Sequence, residues 1–543
     1  MTQFDFVWIY YLSAGLALVV GLLLFRSRRA LPLEDRLLAA VVPLGTLTLA
    51  ALLLRSLFLA PHMVHNGIRL APTFALANGY GLFDGPKEGQ ANCGAYGPIF
   101  YLVNLPATMA ASPTTAIMLA EVIVQFFFWV PLFAVQLKTA RDRPQPWVLA
   151  LAAIICCGFF TFRSNFMWTP LYLLAVWVHA DAPATAFAFC ASSILYFSQR
   201  PYSHRALSAC AFFVGLSIWA KFSLAAVPFA LLIYVWLALG RASCLKLFLH
   251  LAIWGVVMSG ALALAFGLEE MLYLPFSVAG SVGWKPGDKL DLLLMATREL
   301  VGEVLPFGII LVGYVWWQRA SNANLGWRDW LRDNRWTVFL IVGLALAPLC
   351  IRLWARFGGA ANTFSFSIYF LLAATTLALL RLDAQSSLPF AQVMQSTIKV
   401  GAGVLIGAFV LLSAPAPKEL YELMSTVRIN GGEIAFEYLK RYPGKAYFPD
   451  DQLPALMAEG KLYHSSYNIF IFDLVGQPMS AAEFRAHVPP NMELVCFAPH
   501  ESVIDRGYVH PVLRYIPEYS RKTPSDALSL ALARVGWSVF ERH

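Results

Sequence analysis

The stretch that decides the fold is "HMVHNGIRLAPTFALANGYGLFDGPKEGQANCGAYGPIFYLVNLP", residues 62–106, which lies between apolar segments at 37–58 and 116–137. Each flanking segment is long enough to cross the hydrocarbon core of a bilayer as a helix. Connections between packed helices usually need only about 2–8 residues. The loop at 59–115 is far longer, mixed in charge and rich in turn residues. It therefore predicts a functional segment rather than a simple connector.

The composition extends this interpretation to the whole chain. Of the 543 residues, 59% are hydrophobic and 13% are charged, whereas soluble domains have about 45–50% apolar and about 25% charged residues. Repeated apolar runs predict a polytopic α-helical membrane protein with about twelve transmembrane helices. The predicted spans are 7–25, 37–58, 116–137, 147–162, 182–197, 206–219, 222–239, 247–267, 300–318, 336–353, 364–381 and 397–413.

The basic residues indicate the orientation of these spans. The net charge is +8, but Lys and Arg gather in short loops on one side of the twelve-span arrangement, which is the pattern of cytoplasmic loops. No basic patch interleaved with aromatic residues lies elsewhere, so a nucleic-acid partner is not expected. The first loop and the chain after 413 then fall on the outer face. Two short apolar segments with prolines, "GPIFYLVNLPATMA" and "FMWTPLYLLAVWVH", are interpreted as interfacial or re-entrant helices there.

The sequence changes character after the last predicted span. Apolar runs shorten to strand length in "KAYFP", "NIFIFDLV" and "MELVCFAP", and helical patterns such as "GEIAFEYLKRY" lie between them. This alternation predicts a small extracytoplasmic α/β domain at 414–543, beside a transmembrane part at 1–413. No phosphate-binding glycine loop occurs in it, which favours a structural or acceptor-binding role.

Most of the eight cysteines lie in or beside apolar spans and read as small apolar fillers. Cys93 and Cys496 would both lie outside the membrane, and a disulfide between them is an open alternative. No C-x-x-C pair indicates a metal or redox site.

Ionisable residues recur at the predicted outer ends of spans. Two explanations stay open for them: snorkelling anchors at the interface, or a convergent set that holds a phosphate. Asp181 begins an apolar run, either as a helix N-cap or as a general base near an outer cavity. Lys221 stands between two apolar runs as an anchor or a phosphate ligand. The set comprises Arg55, Arg69, Arg163, Asp181, Lys221, Glu303, Arg352 and Arg356.

In order along the chain, several motifs resemble those of integral-membrane glycosyltransferases of the GT-C type, the group that includes protein mannosyltransferases and aminoarabinose transferases. They are "ALANGYGLF" and "YGPIFYLVNLP" in the first loop, "DAPA" at Asp181, "GLSIWAKF" before "VPF", and "GGAANTFSF" before a late span. The resemblance covers roughly residues 37–413. It implies transfer of a sugar from a polyprenyl-phosphate donor to a cell-envelope glycan, lipid or protein, with inversion and general-base catalysis, in a bacterial inner membrane.

The resemblance also implies roles for particular residues. In the family an acid of the first loop acts as or near the base, but His65 and Asn66 stand where it is expected. Asp181 is the first candidate for the base, followed by Asp84 and Glu88, and then His65. The candidate donor-phosphate ligands are Lys221, Arg69, Arg163, Arg352 and Arg356. The resemblance implies no nucleotide and often no metal, so no cofactor is expected. A cation site at Asp288 and Asp291 is only weakly indicated.

Two other classes remain as alternatives. An O-antigen-ligase-like transferase also has about a dozen spans, but its large outer loop usually lies late in the chain. A non-catalytic transporter of lipid-linked sugars, or an assembly partner that has lost its base, would fit the missing early acid. A transporter, however, is expected to carry internal repeats and polar breaks at mid-membrane, and neither is evident in the sequence.

Overall fold

The computed structural model describes residues 3–28, 31–83, 96–143, 145–162, 169–321, 326–382, 389–499 and 510–543. Most of these residues are helical. The helices up to the end of the last predicted span are α1 Gln3–Ser27, α2 Leu33–Leu59, α3 Val64–Ala77, α4 Pro98–Val103, α5 Pro113–Thr139, α6 Pro146–Phe162, α7 Pro170–Val176, α8 Asp181–Phe197, α9 His204–Ala220, α10 Val227–Leu239, α11 Arg241–Phe266, α12 Leu268–Leu272, α13 Lys289–Ser321, α14 Trp327–Asp333, α15 Thr337–Ala355, α16 Ser365–Leu382 and α17 Pro389–Leu412.

Within the described residues, nine helices are long and apolar enough to cross a membrane, and the bent pair of α7 and α8 makes a tenth candidate. Two shorter apolar helices, α6 and α9, complete the set. Each predicted span falls on one of these helices. A 27-residue helix such as α5 is about 40 Å long at about 1.5 Å per residue, which exceeds the roughly 30 Å of the hydrocarbon core.

Burial separates central from peripheral helices. The span that contains α16 is 94% buried, whereas the span of α11 is 6% buried. On α11, Leu264 is 91% exposed and Val256 is 74% exposed. Such large apolar side chains would be unfavourable in water, so this face is suited to contact with lipid tails.

The two short apolar segments are helical but too short to span a membrane. The first forms α4 and a 3₁₀ helix at Leu105–Met109. The second forms α7, which meets α8 at a bend of 99°. Both therefore have the lengths expected of interfacial or re-entrant helices, and the bend leaves residues 177–180 as a break between helices.

The C-terminal region contains the only sheet among the described residues, with strand order β1-β2-β4-β3. β1 pairs parallel with β2, β2 pairs antiparallel with β4, and β4 pairs antiparallel with β3. The elements are α18 Ala416–Thr426, α19 Gly431–Arg441, β1 Ala446–Tyr447, α20 Leu453–Glu459, α21 Ser466–Leu474, α22 Ala481–Ala486, β2 Leu494–Phe497, β3 Tyr519–Arg521, α23 Ala527–Arg534 and β4 Ser538–Arg542. The domain boundary at 413/414 stays a prediction; α17 ends at Leu412.

One predicted strand is wrong, because "NIFIFDLV" lies in helix α21. The Ser465 hydroxyl accepts from the backbone N–H of Asn468 at 3.1 Å, which caps the helix at its start. Ile469 and Phe472, one turn apart, are both buried. The cap and this helical spacing outweigh the alternation of β-formers that suggested a strand.

The C-terminal region packs directly on the first loop and on α5. The Tyr80 hydroxyl donates to the carbonyl of Gly460 at 3.1 Å. The Glu433 carboxylate accepts from the backbone N–H of Thr114 at 3.2 Å, in the first turn of α5, where an anion is favourable. These contacts place the region after the last span beside the loop at 59–115.

Candidate active site

A cavity of about 400 Å³ lies between the first loop and the C-terminal region. Its walls come from segments that are distant in sequence: α3, Tyr96 before α4, the break at 177–180, the break after α9, Val282, the end of α15 with the loop at 356–363, and α21. The residues that line it include His65, Arg69, Tyr96, Trp177, His179, Lys221, Arg356, Asn362, Tyr467 and Phe470.

Asp181 is buried beside this cavity with both carboxylate oxygens bound. Its Oδ1 contacts the Lys221 ammonium and lies 2.7 Å from Nδ1 of His179. Its Oδ2 accepts from Nδ2 of Asn362 at 2.9 Å. The predicted N-cap role of Asp181 is wrong, because the N-cap residue is Ala180 and no side chain caps this helix. The carboxylate binds side chains instead.

The packing of α9 against α8 explains why Lys221 reaches Asp181. The buried Ser217 hydroxyl donates to the carbonyl of Ala184 at 2.8 Å and sets the register of the two helices. Lys221 follows Ser217 by about one turn, and Asp181 precedes Ala184 by about one turn. Helix α9 ends at Ala220, and the backbone of Lys221 is extended. This change of backbone direction lets the Lys221 side chain point to the carboxylate.

His179 links Asp181 to the cavity. Its Nε2 lies 2.7 Å from the Tyr96 hydroxyl, while its Nδ1 lies 2.7 Å from the Asp181 carboxylate. The backbone N–H of Asp181 also lies 3.3 Å from Nδ1, but the contact of Nδ1 with the carboxylate is shorter and a carboxylate only accepts. We therefore assign the proton of the neutral imidazole to Nδ1, and Nε2 then accepts from the Tyr96 hydroxyl. Burial lowers the pKa of His179 to about 3, since it disfavours the imidazolium. The ring is therefore neutral at physiological pH.

A close backbone approach holds Tyr96 in place. The next residue, Gly97, donates its N–H to the carbonyl of Ala220 at 3.3 Å. A Cβ at Gly97 would overlap the carbonyl of Trp219, so any larger residue would push the loop away from α9. The Tyr-Gly-Pro sequence at 96–98 thus presents Tyr96 to His179.

Three of the predicted phosphate ligands line the cavity: Arg69, Lys221 and Arg356. The Arg69 guanidinium lies over the Trp177 ring at 4.5 Å, and its buried Nη1 has no hydrogen-bond partner among the described residues. Arg356 donates to the carbonyls of Gly280 at 2.6 Å and Val282 at 2.5 Å. Arg69 therefore has donor capacity left for a ligand.

The other predicted residues have different positions. His65 lines the cavity, packed edge-on against Trp177 with ring centroids 6.5 Å apart. Arg352 is exposed and does not line the cavity. Asp84, Glu88, Arg163 and Cys93 lie outside the described residues, and the second cysteine of the open disulfide, Cys496, is buried in β2.

In the described part of the chain, no three His, Cys, Asp or Glu side chains converge. Asp288, which the sequence weakly indicates as a cation ligand, accepts backbone hydrogen bonds instead. Its Oδ1 accepts from the N–H groups of Leu290 at 2.7 Å and Asp291 at 3.2 Å, at the start of α13.

Three residues of the site were missed as functional from the sequence: Tyr96, His179 and Asn362. The pattern His-Ala-Asp at 179–181 gave a usable signal, because an imidazole two residues from a carboxylate at a helix start can bind it. The contribution of α21 had no signal, since its contact with the cavity is long-range.

Comparisons with known proteins agree with this fold. No protein family and no curated protein matches the sequence. The solved structure of ArnT from Cupriavidus metallidurans in the apo state is similar, with a TM-score of 0.52 and 14% identity over 91% of this chain and 97% of that chain. ArnT bound to undecaprenyl phosphate gives a TM-score of 0.51 and 12% identity over the same shares. The predicted fold class, a polytopic helical membrane protein with a GT-C-like fold, is confirmed.

Proposed function

We propose that this protein is a glycosyltransferase that moves a sugar from a polyprenyl-phosphate donor to an acceptor hydroxyl of the cell envelope. The reaction would take place in the cavity between the first loop and the C-terminal region. The proposed location is a bacterial inner membrane, with the cavity on its outer face.

The observation that carries this proposal is the grouping of a buried carboxylate with cations at one cavity. Asp181 is 1% exposed, yet His179, Lys221 and Asn362, all of which bind it, face the cavity. Such a group can take up a proton, while Arg69 and Lys221 can hold a phosphate. Proton uptake and phosphate binding are the two tasks of transfer from a lipid phosphate.

The chemistry follows from this arrangement. The acceptor oxygen would attack the anomeric carbon while its proton passes to the Asp181 group. The bond between the anomeric carbon and the phosphate oxygen breaks, and polyprenyl phosphate leaves. Attack from the face opposite the phosphate inverts the anomeric centre. Cations at the phosphate stabilise the charge that develops on the leaving oxygen.

The fold comparison supports the choice of donor. One of the similar structures is ArnT bound to undecaprenyl phosphate. We therefore take undecaprenyl-phosphate sugars as the first donors to test. The sugar and the acceptor are left to the assay.

The test is a transfer assay with the protein in lipid nanodiscs, a panel of undecaprenyl-phosphate sugars and crude envelope lipid as the acceptor source. The readout is released undecaprenyl phosphate. We expect release by the wild type and a loss of about 100-fold or more in Asp181→Asn, the range for removal of a general base. Donor binding should persist in the variant.

The matched control is Asp329→Asn, because Asp329 is exposed and pairs locally with Arg332 at 3.3 Å. This variant should keep wild-type activity. If donors bind but none is consumed by the wild type, the protein is a carrier of lipid-linked sugars rather than a transferase.

A further inference from the structure

The position of Asp181 raises the question of how a proton could reach it. Its carboxylate does not line the cavity. His179 and Lys221 occupy one oxygen and Asn362 occupies the other. An acceptor in the cavity would meet these three side chains before it met the carboxylate.

We propose that the acceptor proton travels through the Tyr96 hydroxyl to Nε2 of His179, and that Asp181 holds the imidazole rather than touching the acceptor. This inference rests on the proposed function. It makes Tyr96 the catalytic residue at the acceptor, His179 the final base and Asp181 a positioning residue.

The hydrogen bonds form a continuous chain in the required direction. The Tyr96 hydroxyl donates to Nε2 of His179 at 2.7 Å. Nδ1 of the same ring lies 2.7 Å from the Asp181 carboxylate, to which it donates in the tautomer assigned above. Both Tyr96 and His179 line the cavity. A proton can therefore enter at the phenol oxygen and come to rest on the imidazole.

Aromatic packing fixes the two rings that carry the proton. The Tyr96 and His179 ring centroids are 4.7 Å apart, and Phe100 packs edge-on against Tyr96 at 5.4 Å. Together with the close approach at Gly97, these contacts leave little freedom to the Tyr96 ring. A preorganised donor–acceptor pair needs little rearrangement when the reaction occurs.

The acceptor O–H bond breaks and its proton binds to the Tyr96 oxygen, while the Tyr96 proton moves to Nε2 of His179. The acceptor oxygen forms a bond to the anomeric carbon, and the electron pair of the broken bond to phosphate leaves with polyprenyl phosphate. His179 becomes an imidazolium that faces the ionised Asp181. Its proton is then released to water or to the departing phosphate.

Two side chains beside this chain of hydrogen bonds hold the Asp181 carboxylate. Lys221 pairs with Asp181 and lies 5.8 Å from the Tyr96 ring centroid. The ionised carboxylate favours a positive charge on His179 when the proton arrives, whereas the Lys221 ammonium itself disfavours it. Asn362 orients the second oxygen and prevents the carboxylate from turning towards the cavity.

The experiment measures turnover and donor binding separately in Tyr96→Phe and His179→Gly. Both variants should bind undecaprenyl phosphate with wild-type affinity and lose about 100-fold or more in kcat, the effect expected for removal of proton transfer. The control is Tyr80→Phe, whose hydroxyl bonds to Gly460 in the C-terminal region and does not line the cavity. It should keep wild-type kcat.

Chemical rescue separates proton transfer from a structural role. Added imidazole should raise the kcat of His179→Gly at least ten-fold, because the removed ring borders the cavity, and should not change Tyr96→Phe. Asp181→Asn should bind donor normally and should not respond to imidazole. Thermal unfolding confirms that each variant is folded.

The relay is overturned if folded Tyr96→Phe keeps wild-type kcat, or if imidazole does not rescue His179→Gly. In those cases wild-type turnover still supports the proposed function. If the wild type consumes no donor, both the relay and the proposed function are overturned.

Discussion

Asn66 uses both ends of its amide to join the first loop to the segment that carries the site. Its Nδ2 donates to the carbonyl of Ala60 at 3.0 Å, and its Oδ1 accepts from the N–H of Val178 at 3.1 Å. Val178 precedes His179 directly. Asn66 stands where the family resemblance implies an acid. Its role here is to position the break before Asp181. A carboxylate could not donate to Ala60, so the amide is the better residue here.

Arg69 gives the first prediction at the residue scale. Since its buried Nη1 has no described partner, a phosphate in the cavity would complete its hydrogen bonding. Arg69→Gln should weaken the binding of undecaprenyl phosphate at least ten-fold, because a charge-assisted bond contributes about 1.5–3 kcal/mol. Binding to protein in nanodiscs measures this.

Arg352→Gln is the matched control for that measurement, because Arg352 has the same charge but is exposed and off the cavity wall. It should bind the lipid within about two-fold of the wild type, as exposed charges contribute little. Equal losses in the two variants would mean that Arg69 acts through general surface charge.

Asp451 gives a prediction for pH. Burial, together with the charge of Asp450, raises the pKa of Asp451 to about 7, above the value of about 3.9 expected in an unfolded chain. The folded state then binds the proton more tightly, so its stabilisation is full below pH ~4 and is lost as the pH rises through about 7. The wild type should unfold at lower temperature at pH 8 than at pH 5.

Asp451→Asn provides the comparison for this pH effect. The amide cannot ionise, so the difference in unfolding temperature between pH 5 and pH 8 should shrink, and the variant should be more stable than the wild type at pH 8. An unchanged pH dependence would assign the effect to another group.

At the scale of elements, helix α3 meets the C-terminal region through a glycine. A Cβ at Gly67 would overlap the Asp451 carboxylate, and one at Gly432 of α19 would lie 2.9 Å from its other oxygen. Asp451 is therefore clamped between two helices that approach closely because both contact positions lack side chains. The seam between α3 and α19 is a tightly packed joint.

This seam predicts that Gly67→Ala separates the two parts. The added methyl must displace Asp451 or shift α3, and α3 carries His65 and Arg69 of the cavity wall. We expect faster proteolysis of the C-terminal region and weaker donor binding. Overpacking of this kind costs about 1–3 kcal/mol.

Gly255→Ala is the control, because nothing lies within 4 Å of a Cβ at that position of α11. This variant should be neutral or slightly stabilised, since Ala favours helix. Unchanged proteolysis in Gly67→Ala would show that the seam can relax.

The sequence predicts some elements better than others for a physical reason. Spans such as those of α2 and α5 were found because each is a long apolar run whose partner, lipid or helix, need not be known. Helix α21 was mistaken for a strand because short segments depend on local caps and on tertiary packing. Strand β3 was not predicted for the same reason, because it has only three residues and is stabilised by its pairing with β4.

At the scale of the molecule, orientation is the remaining prediction. The basic loops place residue 142 in the cytoplasm and the chain end at 543 outside. Alkaline phosphatase, which is active only outside the cytoplasm, should be active when fused after 543 and inactive when fused after 142. A green fluorescent protein fusion should give the reverse pattern. Activity at both positions would contradict the twelve-span arrangement.

The site was only partly predictable from the sequence because it joins distant segments. Asp181 and Lys221 stood out because a charge beside an apolar run is costly, which is a local signal. Tyr96 and Asn362 did not stand out, since neither tyrosine nor asparagine is unusual in a loop. Their roles arise from contacts with residues far along the chain, such as the bond between Asn362 and Asp181.

The contribution of α21 to the cavity wall also matters for the synthesis of the protein. Tyr467 and Phe470 are synthesised after the last predicted span has left the ribosome. A nascent chain can thus be inserted in the membrane with every span in place and still lack one wall of its cavity. On the proposed topology, the complete cavity forms only when the segment that contains α21 has reached the outer face and has packed into the cavity wall, so a chain that stops before α21 holds no finished site.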